Sequence, residues 1–333
     1  MVDFTELIDL ASEKLGGAVL YANDEFFAPK ENLLKPNAPI FITGKYTDLG
    51  KWMDGWETRR RRSPRLNETF DWCIVRLGLA GIIHGIVADT SFFRGNFPSH
   101  CSVEVCTVDG QPDVEQLLDA KNEWTEILPQ SELEGDSNNR FTINFPHRVT
   151  HLRLKIYPDG GVARLRVFGV IAPDWEALRR RQSEIDLAAV EHGGTVLEAS
   201  DMFFGHRHNL IMPERARDMS DGWETKRRRG AGYDWCVVKL GTAGIVGRVE
   251  VDTLHFKGNY PESCSIEVGN AGDDTNYNAI DWQELLPNTR LQAHTRHVFA
   301  DELKSCGTAT HVRFNIFPDG GVSRLRIYGR ISE

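Results

Sequence analysis

Hydrophobic and polar residues alternate with a period of two along much of the chain, a pattern typical of β-strands with one buried face. The alternation is clear at residues 73–78 and 152–157, and the segments 81–89 and 102–107 have the same strand character. Turn residues separate such segments at the spacing of roughly 8–12 residues that is typical of antiparallel sheets. The pattern therefore predicts an all-β chain.

A Pro-Asp-Gly-Gly turn at 158–161 is followed by a second alternating segment at 164–169. Because glycine readily adopts the positive φ of a tight turn, this pattern predicts a β-hairpin with the preceding strand. Helical spacing is confined to the start of each half, at Phe4–Leu15 and Asp174–Val190. We therefore predict one antiparallel β-sandwich in each half, each with a short N-terminal helix.

The two halves are copies of one another. Four motifs of the first half return in the second half in the same order, and the first copy carries additional residues between Asn32 and Asp54. The motif pairs are Asp54–Arg62 with Asp221–Arg229, Asp71–Cys73 with Asp234–Cys236, Arg94–Pro98 with Lys257–Pro261, and Pro158–Val162 with Pro318–Val322. This duplication predicts two domains, 1–172 and 173–333, with the boundary near Pro173.

Composition narrows the classes of partner. Hydrophobic residues make up 41% and charged residues 26%, which is ordinary for a soluble globular protein. The net charge of −9 argues against nucleic acid as a partner. No apolar run approaches the roughly 20 residues that cross a bilayer, and the acidic start of the chain does not resemble a signal peptide. We therefore expect neither nucleic-acid nor membrane binding.

The six cysteines are expected to be buried thiols. Cys73 and Cys236 fall in matching strand patterns, as do Cys101 and Cys264, and the sequence contains no C-x-x-C pair. A zinc site or a disulfide framework is therefore not indicated. Reduced thiols favour a cytoplasmic location.

The sequence Asp-Gly-Trp-Glu-Thr followed by four cations, at 54–62 and again at 221–229, is the first candidate for chemistry. We call it the cassette. If its cations continue a strand, alternation sends successive side chains to opposite faces, so at most half of them reach one pocket. Position 59 is Arg in the first copy, but its counterpart in the second copy is Lys226. Because lysine cannot bind a carboxylate in the bidentate manner of arginine, the arginines that follow are stronger candidates. A solvated or salt-bridged strand edge is the alternative.

The second candidate is a strand that ends in Asp-Thr and continues into a basic-Gly-Asn loop, at 89–96 and 252–259. Its carboxylate, cation and amide could bind a urea-like group, because Asp accepts N–H hydrogen bonds and Asn donates to oxygen. Alternatively, the Asp and Asn stabilise the turn itself. The aspartates of the Pro-Asp-Gly-Gly turns are interpreted as turn formers. The arginines that follow them are interpreted as partners of acids in the sandwich, with a contribution to an anion pocket as the alternative.

The histidines differ between the copies. His84 has Gly247 as its counterpart, whereas His151 and His311 correspond to each other. The presence of His84 in only one copy has three explanations. It is a structural residue, or only one copy is active, or the two copies share one site. The sequence contains no H-E-x-x-H, P-loop or G-x-S-x-G motif, so no metal or cofactor is expected.

Taken together, the doubled motifs closely resemble those of the allantoicase family over nearly the whole chain. The residues that carry the resemblance are Asp-Gly-Trp-Glu-Thr-(Arg/Lys)-Arg-Arg-Arg, (Tyr/Phe)-Asp-Trp-Cys, Phe-(Arg/Lys)-Gly-Asn-(Phe/Tyr)-Pro and Pro-Asp-Gly-Gly-Val-(Ala/Ser)-Arg-Leu-Arg. The resemblance implies two jelly-roll domains similar to galactose-binding-like modules. It also implies hydrolysis of allantoate to (S)-ureidoglycolate and urea in purine degradation, by a homo-oligomer.

That chemistry assigns provisional roles to the motifs. Urea is a poor anionic leaving group, so its nitrogen must be protonated as the C–N bond breaks. A glutamate that is desolvated beside the cassette tryptophan would have a raised pKa and could be the general acid, while the strand-end aspartate would orient or deprotonate water. The catalytic candidates are Glu57, Glu224, Asp89, Asp252 and His84, and the substrate-binding candidates are Trp56, Trp223, Arg60, Arg61, Arg227, Arg228, Arg94, Asn96, Lys257 and Asn259.

Two other classes of function remain open. A non-catalytic protein with two carbohydrate- or acid-binding sandwiches would have the same fold, because fold does not determine function. Metal-assisted hydrolysis would use His84, His151 and Asp89 as ligands.

Overall fold

The computed structural model describes residues 3–62, 69–119, 121–180, 183–272 and 277–332. The chain forms two compact units that divide between Ala172 and Pro173. Both units are built mainly from strands, which confirms the all-β prediction. In the first unit the strands are β1 Ile8–Asp9, β2 Ala18–Ala22, β3 Tyr46–Thr47, β4 Gly50–Lys51, β5 Trp56–Glu57, β6 Asp71–Asp89, β7 His100–Cys106, β8 Thr125–Glu132, β9 Asn138–Thr142, β10 Val149–Tyr157, β11 Gly161–Val162 and β12 Arg164–Ile171.

The second unit repeats this order. Its strands are β13 Ile185–Asp186, β14 Thr195–Ala199, β15 Trp223–Glu224, β16 Asp234–Asp252, β17 Ser263–Gly269, β18 Gln283–Arg290, β19 Arg296–Phe299, β20 Ala309–Phe317, β21 Gly321–Val322 and β22 Arg324–Ile331. The α-helices are α1 Val114–Leu118 and α2 Trp175–Arg180, and the 3-10 turns are Phe4–Glu6, Glu13–Leu15, Lys30–Leu34, Val190–His192, Arg207–Ile211, Met219–Asp221 and Tyr277–Ala279. Among the described residues, no helix is long and apolar enough to cross a membrane.

One long strand organises each sandwich. In the first unit the sheet order is β1-β12-β6-β10-β7-β8, and β2 and β9 also pair with β6. The first part of β6 pairs with β2 and β10, whereas its second part pairs with β9 and β12. A strand that changes partners in this way passes from one layer of the sandwich to the other. The strand β16 does the same in the second unit, with β14, β20, β19 and β22.

Two glycines lie where β6 changes layers. A Cβ on Gly78 would lie 2.5 Å from the carbonyl oxygen of Leu15, and one on Gly81 would lie 2.5 Å from that of Val170. Side chains cannot be accommodated at such distances, so the close approach of the backbones requires glycine at both positions. The alternating residues of the strands then fill the core, as the period-two pattern predicts, with Leu152, Leu154, Ile156, Leu165 and Val167 fully buried.

The predicted hairpin does not form. Strand β10 pairs with β6 and β7, and β12 pairs with β6 and β1, so the two strands on either side of the Pro-Asp-Gly-Gly turn are not neighbours. The prediction was wrong because β10 lies beside the first part of β6 and β12 beside its second part. The turn instead leads into β11, which pairs with β5 of the cassette.

The predicted N-terminal helices are shorter than expected. In the first unit, two 3-10 turns flank β1, and in the second unit a helix of 6 residues precedes β13. The side chain of Asp9 accepts hydrogen bonds from the backbone N–H groups of Ala11 and Val167, at 3.2 and 3.0 Å. Because Ile8 and Asp9 also pair with β12, tertiary pairing overrides the local helical spacing.

Five of the six cysteines are buried, as predicted. Cys73, Cys101, Cys236 and Cys264 are buried in strands, and none of the six cysteines forms a disulfide. Cys306 alone among the six is partly exposed.

Candidate active site

The cassette begins with a buried ion pair. Nη2 of Arg164, which is 2% exposed, donates to Oδ2 of Asp54 at 2.6 Å. Arg324 and Asp221 form the same pair in the second unit, at 3.2 Å. Burial alone would raise the pKa of Asp54, but the hydrogen bond from Arg164 and the other donors outweigh it and hold that pKa below its ordinary value. As predicted, these arginines pair with acids of the sandwich, and the pair fixes the start of the cassette.

The cassette lies directly beside the Pro-Asp-Gly-Gly turn. In β5, Glu57 is opposite Gly161 of β11. The backbone N–H of Thr58 donates to the carbonyl oxygen of Gly160, and the N–H of Gly160 donates to Oγ1 of Thr58, both at 3.1 Å. Thr225 and Gly320 form the same two bonds in the second unit. The two motifs therefore form one rigid structure, although they are far apart in sequence.

The loop that follows β6 is the third component. Its Phe93 ring packs against both neighbours, because a Cβ on Gly161 would lie 2.0 Å from the ring and one on Gly55 would lie 2.8 Å from it. The backbone N–H of Gly161 donates to the carbonyl oxygen of Asn96 at 2.8 Å. Three of the duplicated motifs thus meet at one place in each unit.

Glu57 is the buried acid at this place. It is 9% exposed, and Nδ2 of Asn96 donates to its Oε1 at 2.7 Å. Burial raises the pKa of Glu57, and the hydrogen bond from Asn96 acts in the opposite direction. In the second unit Asn259 donates to Oε1 of Glu224, which is partly buried. Asn96 and Asn259 were expected to contact substrate, whereas here each one positions a glutamate.

The cassette cations do not continue the strand, because β5 ends at Glu57. The expected alternation of side chains along a strand is therefore wrong, and acidic partners decide where the cations lie. Arg59 pairs with Asp24 at 2.7 Å. Arg61 pairs with Asp71, and its backbone N–H donates to Oδ2 of Asp159 at 2.8 Å.

The second unit has equivalent contacts. Lys226 pairs with Asp201 at 3.1 Å. Arg228 pairs with Asp234, and its backbone N–H donates to Oδ2 of Asp319 at 2.9 Å. The turn aspartates thus anchor the cassette, a role that their sequence context as turn formers did not indicate.

A cleft of about 850 Å³ opens above the glutamate of the second unit. Its walls come from the cassette, from the loop after β16 and from the turn before β21. The lining residues are Phe204, Glu224, Thr225, Arg227, Arg228, Arg229, Gly258, Asn259, Tyr260, Glu262, Arg290, Leu291, Pro318, Asp319 and Gly320. Arg227 and its counterpart Arg60 are exposed. The cleft therefore combines a partly buried carboxyl group with several guanidinium groups.

The cassette tryptophans lie beneath the site. Trp56 and Trp223 are fully buried, and each indole N–H donates at 2.8 Å to a backbone carbonyl oxygen, that of Asp24 or Asp201. Because these side chains are enclosed in the core, the expected substrate contact is replaced by a structural role.

The strand-end aspartates, which were expected to orient or deprotonate water, instead make contacts within their own loops. Oδ1 of Asp89 accepts the N–H of Ser91 at 2.8 Å, so Asp89 stabilises its own turn. Asp252 does the same for Leu254 at 2.9 Å. It also lines a separate cavity of about 330 Å³, where it pairs with Arg215 at 3.1 Å. These contacts agree with the alternative interpretation, in which the aspartates stabilise the turn itself.

The remaining candidates lie at the surface or along β6. Arg94 is an exposed residue paired with Asp136 at 2.9 Å, and Lys257 is also exposed. His84 is exposed on β6. His151, by contrast, is buried opposite Arg76, and burial lowers its pKa to about 4.

The ligands considered for metal-assisted hydrolysis are not gathered. His84 and Asp89 lie at different positions along β6. His151 lies in β10, opposite Arg76, which is nearer the start of β6. Within the described ranges, no group of three or more His, Cys, Asp or Glu residues is arranged to hold a metal ion.

Sequence reasoning missed several residues of the cleft, among them Tyr260 and Arg290. Tyr260 stands where the first copy has Phe97, and Arg290 lies at the end of β18, outside the motifs that drew attention. A comparison of the copies position by position would have found Tyr260. Arg290 could have been found in the same way, because the segment Trp282–Leu291 repeats the pattern of Trp124–Leu133, with Arg290 at the position of Glu132.

The fold and the cleft define a class of protein, namely a tandem β-sandwich whose duplicated loops surround a glutamate and several arginines. The Allantoicase repeat family model matches residues 8–172 and 185–332. The chain is 47% identical to a protein named probable allantoicase from Photobacterium profundum, with 100% of this chain and 99% of the relative covered. It is 48% identical to the allantoicase of Dictyostelium discoideum, with 97% and 87% covered.

A solved structure agrees with these sequence matches. The crystal structure of allantoicase from Saccharomyces cerevisiae matches with a TM-score of 0.81 at 36% identity, covering 97% of this chain and 93% of the yeast chain. The chain belongs to the allantoicase family.

Proposed function

We propose that this protein is a hydrolase of linear amidines that converts allantoate and water to (S)-ureidoglycolate and urea. Membership of the allantoicase family supports the reaction. One structural observation carries the proposal. In each unit an asparagine donates a hydrogen bond to the cassette glutamate, which lies beside the cassette arginines.

The chemistry of the cleft suits this substrate. Allantoate is a small monoanion whose central carbon bears a carboxylate and two ureido groups. The guanidinium groups of Arg227 and Arg229 at the rim can bind the carboxylate through paired N–H donors. Carboxylate and backbone oxygens in the same cleft can accept hydrogen bonds from a ureido group.

Cleavage requires a proton at the leaving nitrogen. The bond between the central carbon and one ureido nitrogen breaks, water supplies the hydroxyl group of the product, and urea departs after protonation. Glu57 or Glu224 is the proposed proton donor. Support comes from the burial that raises the pKa of Glu57 and thereby keeps more of it protonated near neutral pH.

Urea release by Glu57→Gln and Glu224→Gln tests the assignment. We expect at least one substitution to lower kcat by about 10²–10⁴-fold, the usual contribution of general acid catalysis. Glu126→Gln, at an exposed position of β8, is the matched control and should keep the native rate. Native rates for both cassette variants would refute the proton-donor role.

Two other functions give different outcomes in the same assay. A non-catalytic binding protein would bind allantoate in calorimetry without releasing urea. Metal-assisted hydrolysis would be abolished by a chelator and restored by metal. We expect urea release that persists with chelator present.

We also propose a homo-oligomer. Support comes from the additional segment of the first copy, where Ile40, Phe41, Ile42, Tyr46 and Leu49 are large hydrophobic side chains exposed to solvent. Exposed apolar patches of this kind are typical of protein–protein interfaces. Sedimentation velocity should give a multiple of 37.6 kDa, and Ile42→Glu with Tyr46→Glu should reduce that mass. A monomer in the unmodified protein would contradict the proposal.

A cytoplasmic location is proposed as well. It is supported by the six unpaired thiols, which suit a reducing compartment. Cell fractionation with antibody detection tests it, and recovery in a secreted fraction would overturn it.

A further inference from the structure

The residues that line the cleft of the second unit can be compared with their equivalents in the first unit. The backbone N–H of Leu133 donates to the carbonyl oxygen of Ser99, and that of Leu291 donates to the carbonyl oxygen of Glu262, both at 2.9 Å. The adjacent strands also correspond, because β8 pairs with β7 as β18 pairs with β17. The residues before these two leucines, Glu132 and Arg290, are therefore equivalent.

This equivalence reveals a reversal of charge. The wall position that holds Arg290 in the second unit holds the carboxylate of Glu132 in the first unit. Nearby, Tyr260 adds a hydroxyl group where the first copy has Phe97. The cassette has the same charge in both copies, whereas the wall differs at these positions and at Glu262, which stands where the first copy has Ser99.

Arg290 is available to a ligand. Its side chain is 84% exposed, it lines the cleft, and its ion pair with Glu262 is long, at 3.9 Å. By contrast, Arg228 is held by Asp234 and by the turn. An exposed, loosely paired guanidinium group can change partner at little energetic cost, because surface ion pairs contribute little.

The cassette arginines themselves differ between the copies. Arg61 donates from both Nε and Nη2 to Asp71. Arg228 donates from Nη2 to Asp234, and its buried Nε has no hydrogen-bond partner among the described residues. The two copies thus hold equivalent arginines through different numbers of hydrogen bonds.

We propose that Arg290 is a substrate-binding residue that binds the carboxylate of allantoate, and that it makes the cleft of the second unit the productive one. The inference rests on the proposed function. In the first unit Glu132 would repel the same carboxylate, so duplication of the cassette does not duplicate the site. Glu224 is the glutamate that lines this cleft.

Steady-state urea release by Arg290→Glu, which installs the residue of the first copy, tests this assignment. We expect KM for allantoate to rise about tenfold or more, since a charge-assisted hydrogen bond is replaced by repulsion, with a smaller change in kcat. Glu126→Gln and Glu126→Arg, at an exposed position of β8, are the controls in the first unit and should keep the native KM. Unchanged melting temperatures would show that all three variants fold.

The outcomes separate the two proposals. If the unmodified protein releases no urea, the proposed function fails. If it releases urea and Arg290→Glu has the native KM, only the assignment of Arg290 is overturned.

Discussion

Asn96 donates a hydrogen bond of 2.7 Å to Oε1 of Glu57, a residue 39 positions earlier in the chain, and Asn259 and Glu224 repeat the contact. An amide donor favours the ionised form of the carboxyl group, whereas burial favours the neutral form. The ionisation of Glu57 is therefore set by two opposing effects on its pKa, of which burial is the larger.

Removing the donor should shift this balance. In Asn96→Ala, we expect the pKa of Glu57 to rise above its value in the unmodified protein, because burial then acts with less opposition. A carboxyl ¹³C NMR titration of Glu57 measures the change directly. Asn259→Ala, at the equivalent position of the other unit, should leave the Glu57 titration unchanged. A lower pKa for Glu57 in Asn96→Ala would contradict this account.

The same shift makes stability depend on pH. Because the pKa of Glu57 is raised in the folded protein, its contribution to stability is fully present below the unfolded-state pKa, near the ordinary value of 4.5. That contribution is lost as pH rises through the folded-state pKa. Glu57→Gln should therefore gain stability relative to the unmodified protein as pH increases above about 4.5. Melting curves at about pH 4, 6 and 8 would show the difference widening, and parallel pH profiles would argue against it.

The buried pair of Arg164 and Asp54 should be important for stability. Arg164→Ala leaves the carboxylate of Asp54 buried without its main partner, and breaking a buried pair in this way costs about 3–5 kcal/mol. Chemical denaturation should show this loss in the free energy of unfolding of the first unit. In Arg94→Ala, where the arginine side chain is 79% exposed, we expect a change of about 1 kcal/mol or less. Equal losses in the two variants would refute the distinction.

The glycine beneath the site should not tolerate a side chain. A Cβ on Gly161 would lie 2.0 Å from the Phe93 ring, so Gly161→Ala must displace the ring or the turn. We expect a loss of about 1–3 kcal/mol in the free energy of unfolding. A Cβ on Gly95 meets nothing within 4 Å, so Gly95→Ala serves as the control. Native stability of Gly161→Ala would show that the packing is less tight than the structure indicates.

The thiols should differ in reactivity. Burial raises the pKa of Cys101 to about 12 and that of Cys106 to about 11, so little reactive thiolate forms there at about pH 8. Cys306 is partly exposed, so it should be the first of the six to react with a thiol reagent in the folded protein. Cys306→Ser should remove this fast phase, and unfolding should expose all remaining thiols. Rapid labelling of Cys101 in the native protein would contradict the prediction.

Much of the fold was determined by local pattern. Period-two alternation identified strands correctly at 73–78, 81–89 and 152–157, because burial of one face imposes that period on any sandwich. Internal repetition identified two related units, since each copy must build the same core. The N-terminal helix was overestimated because Ile8 and Asp9 gain more from pairing with β12 than from local helical bonds.

Long-range pairing decided the rest. Sequence spacing predicted a hairpin around the Pro-Asp-Gly-Gly turn, but β6 separates the flanking strands and the turn joins the cassette instead. The sequence by itself identified the duplicated cassette, its glutamate and its cations, because repetition preserves residue types. Only the tertiary structure decided that Asn96 holds Glu57, that Asp71 and Asp159 hold Arg61, and that Arg290 lines the cleft with Glu224. These relations depend on which backbone segments pair across the sandwich, and local sequence carries no information about that choice.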